Sequence, residues 1–173
     1  TAPHSRSMRL LSLDLGDRRT GIAVSDRVSR IVSPLTTVHQ PLRSAVTNRS
    51  GERHHTFDAD ALTADLVRII REQEADTVVL GLPLNMDGST GPRAELVLAF
   101  ADHLRRALAA AGLAPTLETF DERLTSAEAD WQMAQTGLTH KQKKARRDAL
   151  AAAAILRGYL DQSDHNQRDS GDA

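Results

Sequence analysis

An α/β fold, with a mixed sheet and helices on its faces, is what the order of hydrophobic periods predicts. Three β-like runs open the chain, and helical and strand patterns then alternate. A carboxylate sits inside the first apolar run. Leu10, Leu11, Leu13 and Leu15 form a nearly continuous apolar segment, the pattern of a strand covered on both faces, and Asp14 interrupts it. An uncompensated carboxylate there costs several kcal/mol or takes up a proton, so a partner is expected.

The 173 residues suffice for one domain, and 40% of them are hydrophobic although only 3% are aromatic, so aliphatic side chains and alanine must fill the core. The chain has no cysteine, which excludes disulfides, thiolate zinc sites and cysteine nucleophiles. With a formal net charge of −1, a nucleic-acid partner requires a local basic patch. No apolar run approaches the roughly 18 residues of a membrane span, so no membrane partner is expected. Residues 1–7 read as a disordered lead-in, and the domain as 8–161.

Gly16 and Gly21 bracket Asp17-Arg-Arg-Thr20, a turn-rich link to a second strand at Ile22–Val24. Arg30–Val38 reads as a third strand, placed at an edge or bulged by Pro34. From 39 to 57 the chain is polar and without clear period, which predicts a loop or insertion; His54-His55 within it reads as solvated. Leu62, Leu66, Ile69 and Ile70 follow helical spacing between Asp58 and Glu74.

Thr77–Leu80 is a buried-strand pattern that ends in Gly81-Leu-Pro-Leu-Asn-Met-Asp-Gly-Ser89, a stiff loop able to position a substrate strand. Gly91-Pro92 opens a second helix with the stripe Leu96, Phe100, Leu104 and Leu108, stopped by Gly112 and Pro115. Thr116–Phe120 is the fifth strand, and Asp121-Glu122-Arg123 stands at its carboxyl end. Thr125-x-x-Glu128 has capping-box form and predicts a third helix to Gly137, with Trp131 packing. Thr139 caps the last helix, which runs to about Leu160. Residues 162–173 read as a disordered acidic tail.

Two further acidic features resemble Asp14. In the last helix Asp148, Ala152, Ile155 and Tyr159 fall on one face, widened by Ala145, Ala149, Leu156 and Leu160, so Asp148 points toward the sheet. Asp121-Glu122 lies where ligands gather in open α/β sheets, beyond a strand's carboxyl end. Carboxylates on three separate elements suit one or two Mg²⁺ or Mn²⁺ ions, because oxygen-only donors favour such hard cations. Two ions about 3.5–4 Å apart would activate water and stabilise the leaving oxygen in phosphodiester cleavage. The competing readings pair Asp14 with an arginine such as Arg123 and make Asp121 a simple cap. Lys141, Lys143, Lys144, Arg146 and Arg147 precede Asp148, and Arg18 and Arg19 follow Asp14. These could bring a phosphate backbone to the acids, and Arg123 joins them as a candidate contact.

Leu13-Asp-Leu-Gly16 with Thr20-Gly-Ile-Ala-Val-Ser-Asp26, Gly81–Ser89, Asp121-Glu-Arg-Leu-Thr-Ser126, and Asp148 before Ala151-Ala-Ala-Ala-Ile-Leu156 occur in that order. Together they resemble the YqgF/RuvX family over residues 9–161. The resemblance implies an RNase H-like fold, here a mixed five-stranded sheet with helices on both faces. It also implies a bacterial cytoplasmic nuclease that matures the 5′ end of pre-16S ribosomal RNA. The family's acidic triad maps onto Asp14, Glu122 and Asp148, the expected catalytic and metal-holding residues, with Asp121 a further catalytic candidate. The 39–57 stretch is longer than the family's compact connection. Pre-16S rRNA is the first expected partner and branched DNA the second, for a monomer or homodimer. The rival functions are a Holliday-junction resolvase using the same acids, and a non-catalytic RNA- or transcription-complex-binding protein. A sugar-kinase- or actin-like ATPase is discounted, because that architecture needs two such domains.

Overall fold

The computed structural model describes residues 9–40, 42–47, 53–125 and 140–169. Strands β1 (Arg9–Leu15), β2 (Arg19–Asp26) and β3 (Ser33–His39) form an antiparallel meander, and β4 (Leu42–Thr47) and β5 (Arg53–Phe57) a separate pair. Helix α1 (Ala59–Glu72), β6 (Ala75–Leu82), α2 (Pro92–Ala110) and β7 (Thr116–Asp121) follow. A 3₁₀ turn (Glu122–Leu124) and helix α3 (His140–Asp169) complete the described chain. The main sheet has five strands in the order β3-β2-β1-β6-β7, with β6 and β7 parallel to β1. β1 is therefore its central strand.

Burial on both faces of β1 explains its apolar composition. Leu11, Leu13 and Leu15 pack with Leu62, Leu66, Ile70, Phe100 and Leu104 of α1 and α2. Leu10, on the opposite face, packs with Ile155, Leu156 and Leu160 of α3. Strand alternation puts Ser12 and Asp14 on that same α3 face, and Ser12 Oγ donates to the Ala152 carbonyl at 2.7 Å. The predicted mixed sheet with helices on both faces is what the chain forms.

Local chemistry sets the helix ends. The Asp58 side chain accepts from the backbone N–H groups of Asp60 and Ala61 at α1's start. Pro92 occupies the first turn of α2, and Gly112 at φ +73° lets Leu113 N–H close on the Leu108 carbonyl at 2.9 Å. The buried stripe of α2 is Ala94, Val97, Phe100, Ala101, Leu104 and Leu108, so Val97 takes the place predicted for Leu96, which is half-buried.

Two expectations change. The stretch 39–57 is not wholly a loop, because β4 and β5 pair within it, with Ala45 opposite His55 and Thr47 opposite Arg53. Backbone pairing supports such a ribbon without the apolar alternation that a core-facing strand shows. Helix α3 continues beyond Leu160 to Asp169, into the segment expected to be a disordered tail. Arg30 secures that extension, donating to Asp164 Oδ1 at 2.8 Å and to the Leu160 carbonyl at 2.9 Å. The predicted helix between Thr125 and Gly137 and the lead-in 1–7 fall outside the described residues.

Candidate active site

Asp14 stands near the end of β1 with a glycine beside it on each neighbouring strand. Gly21 of β2 is its antiparallel partner. Gly81 of β6 is the next position after the Leu13–Leu80 pair. A Cβ on Gly21 would lie 1.9 Å from the backbone oxygen of Asp148, and one on Gly81 would lie 2.5 Å from Glu122 Oε1. The two glycines therefore open the sheet surface on either side of Asp14, one to the α3 backbone at Asp148 and the other to the Glu122 side chain. A glycine within a strand marks such a close approach.

The electrostatics follow from this crowding. Burial and the nearby Asp148 charge push the Asp14 carboxyl up to about 6, against a smaller lowering by Arg93. Burial and the Asp14 charge push Glu122 up to about 7, again opposed by Arg93. Each carboxylate thus responds to another across the sheet surface, as expected for partly desolvated like charges.

Arg93, in the first turn of α2, donates to Asp17 Oδ1 at 2.5 Å and to the Leu15 carbonyl. It is a residue bordering the acids that the sequence did not single out. An arginine in a helix's first turn runs against the helix dipole, and that was the available signal.

Asp148 lies beside this pair, with Oδ2 2.7 Å from Arg19 Nε in a largely shielded ion pair. Among the described residues, no group of three carboxylate or imidazole side chains closes around a single metal position. Asp14 links the other two acids electrostatically, raised by Asp148 and raising Glu122, while the Asp148 carboxylate is also engaged by Arg19. The Asp148 backbone nonetheless sits directly over Gly21. An all-carboxylate set with two members destabilised as anions fits a hard divalent cation.

The adjacent acids Asp121 and Glu122 have separate roles. Asp121 caps the 3₁₀ turn through Arg123 N–H and takes Arg123 Nε at 3.0 Å and Nη2 at 2.6 Å, which holds its carboxyl below the usual range. Arg123 Nη1 also donates to the carbonyls of Asn85 and Met86, at 3.2 and 3.1 Å. Arg123 therefore staples the β6–α2 loop to the acid-bearing turn. It pairs with Asp121 and not with Asp14.

Arg18 is exposed at the β1–β2 turn, and Gly16, Asp17, Arg18, Arg19 and Asp148 line a cavity of about 270 Å³ there. Gln40 is buried behind the turn and its N–H donates to the Arg18 carbonyl at 2.9 Å. Lys141, Lys143, Lys144, Arg146 and Arg147 lie on the turns of α3 leading into Asp148, with Arg146 and Arg147 exposed.

The family model described as "RuvX: Holliday junction resolvase" matches residues 8–162. The chain belongs to the RuvX family. A relative from Chloroflexus aurantiacus is 41% identical over 154 residues, covering 88% of this chain and 86% of that protein, and bears the name "Putative pre-16S rRNA nuclease". One from Anaeromyxobacter sp. (strain Fw109-5) bears the same name at 42% identity, covering 89% of this chain and 97% of its own length. Among solved structures, Thermus thermophilus RuvC in complex with a Holliday junction substrate superposes with a TM-score of 0.53 at 14% identity. That match covers 87% of this RuvX chain and 92% of the RuvC chain, and it supports an RNase H-like fold. Among the described residues of this RuvX protein, no helix is long and apolar enough to cross a membrane.

Proposed function

We propose that this RuvX protein is a divalent-metal-dependent endonuclease that processes the 5′ end of pre-16S ribosomal RNA in the cytoplasm, as a monomer or homodimer. The observation that carries the chemistry is the convergence of three acids on the sheet face covered by α3: Asp14 lies between Gly21, which admits the Asp148 backbone, and Gly81, which admits the Glu122 carboxylate. The relatives' name supports the substrate. Asp14 and Glu122 would hold Mg²⁺ or Mn²⁺ through carboxylate oxygens, and Asp148, now paired with Arg19, would be the third ligand. When bound, the cation supplies an activated water and stabilises the leaving oxygen.

The protein's own residues do the rest. Arg93 holds the end of β1 and moderates the acid pair's mutual repulsion. Arg18 and the basic start of α3 draw the phosphate backbone to the acids.

A four-way DNA junction is the second reading, favoured by the family model's description. Side-by-side assays with Mg²⁺ on precursor 16S rRNA and on a four-way junction separate the two. Processing of the precursor at its 5′ end with the junction left intact is expected; cleavage of the junction alone would replace the RNA assignment.

A further inference from the structure

We infer that Met86 and Leu124 form an apolar platform that contacts an unpaired nucleobase of the strand entering the acid site. The inference rests on the nuclease reading and deepens it. Met86 is 93% exposed and Leu124 57% exposed, and they occupy the two segments joined by Arg123. Arg123 bonds the Met86 carbonyl, Leu124 is its chain neighbour, and Glu122 precedes it. Leu124 thus lies two residues from the proposed ligand Glu122, and Met86 sits on the loop that Arg123 ties to the same turn.

The backbones that carry both residues are firmly held. In the loop, Asn85 N–H donates to the Ser89 carbonyl at 3.0 Å and Gly88 N–H to the Asn85 carbonyl at 2.8 Å. Ser89 N–H donates to Asp87 Oδ1 at 2.9 Å. The 3₁₀ turn rests on α3 where Gly158 has no side chain: a Cβ there would come within 2.7 Å of the Phe120 ring and 3.5 Å of the Leu124 oxygen.

A single exposed apolar side chain needs no explanation. Val28 and Ile31 are also exposed, but they follow β2 at the opposite end of the sheet from Asp14. Met86 and Leu124 differ in lying on the acid-bearing turn and the loop tied to it, both mounted on a hydrogen-bonded frame. Arg123, the cation between them, has donors committed to Asp121 and to loop carbonyls, so the surface offers apolar contact in place of a further phosphate ligand. An unpaired base presents a matching apolar face, and apolar side chains of this kind can hold bases out of the stack.

The test uses the full chain in EDTA, so that binding is read without cleavage. The probes are an RNA hairpin with a single-stranded 5′ extension carrying 2-aminopurine, and a fully paired duplex of the same length. Met86→Ser with Leu124→Ser should weaken binding of the extended RNA by roughly tenfold and abolish its fluorescence change. Duplex binding, the salt dependence and the melting temperature should stay the same, and Met86→Leu should behave like the native protein.

Equal affinity and fluorescence for the double variant, or equal losses on both probes, would overturn the platform. If the native protein binds the RNA while the variant is unaffected, the platform fails and the nuclease reading stands. If the native protein binds neither precursor RNA nor junction, both fail.

Discussion

Asp14 is a carboxylate surrounded by conditions that disfavour its charge: burial, the Asp148 carboxylate, and Glu122 across Gly81. Its raised proton affinity has a consequence for the metal-free protein. A carboxyl with a higher pKa folded than unfolded binds its proton more tightly in the native state. Its favourable contribution is complete below about pH 4 and is lost as pH rises through about 6. Asp14→Asn removes this loss. The variant should match the native protein in stability at pH 4 and exceed it at pH 8, by about 3 kcal/mol at most. Scanning calorimetry in EDTA at the two pH values checks this, and a variant less stable at pH 8 would contradict the assigned electrostatics.

Divalent cations compete with the same protons. Mn²⁺ affinity measured by calorimetry should fall as pH is lowered from 8 to 5, with protons released on binding. A pH-independent affinity would place the cation elsewhere.

At the level of elements, the site depends on two strand glycines with different tolerances. At Gly21 an added Cβ meets the α3 backbone, which cannot yield without moving the helix. At Gly81 it meets the end of Glu122 and the Ile155 methyl, both of which can rotate. Gly21→Ala should therefore cost about 2–3 kcal/mol in stability. Gly81→Ala should cost less in stability, while displacing Glu122 and lowering kcat. Denaturant titration paired with cleavage assays separates the two, and the reverse ranking would refute the packing described.

How far the sequence revealed these elements follows from what each one needs. β1, α1 and α2 were legible because core burial imposes a period on their leucines, isoleucines and valines. Asp14 was legible because it breaks that period. Residue patterning did not separate Asp121 from Glu122, since neighbours at a strand end share their one-dimensional features, and only the family resemblance favoured Glu122. Only the fold shows Arg123 taking one and Gly81 admitting the other. The β4–β5 pair escaped notice because backbone pairing, rather than an apolar face, defines it, and Asp148 was placed on the sheet side of α3 without sign of its contact with Arg19.

Across the whole molecule, a near-neutral chain places its cations selectively. Arg18 sits at one border of the acid site and the basic start of α3 leads into Asp148. Neutralising phosphates releases counterions, so RNA affinity should fall steeply with salt. Arg18→Gln and Arg146→Gln should each reduce the slope of log affinity against log salt by about one, whereas Arg68→Gln, on the outer side of α1 beside Glu72, should leave it unchanged. A slope untouched by both site variants would move the nucleic-acid path to another surface.

If Asp14 anchors a metal-dependent phosphodiesterase site, single-turnover cleavage of precursor 16S rRNA at saturating Mg²⁺ must depend on its carboxylate. Asp14→Asn should lose at least about a hundredfold in rate while staying folded and binding the RNA as the native protein does. Cleavage within about twofold of the native rate would contradict it.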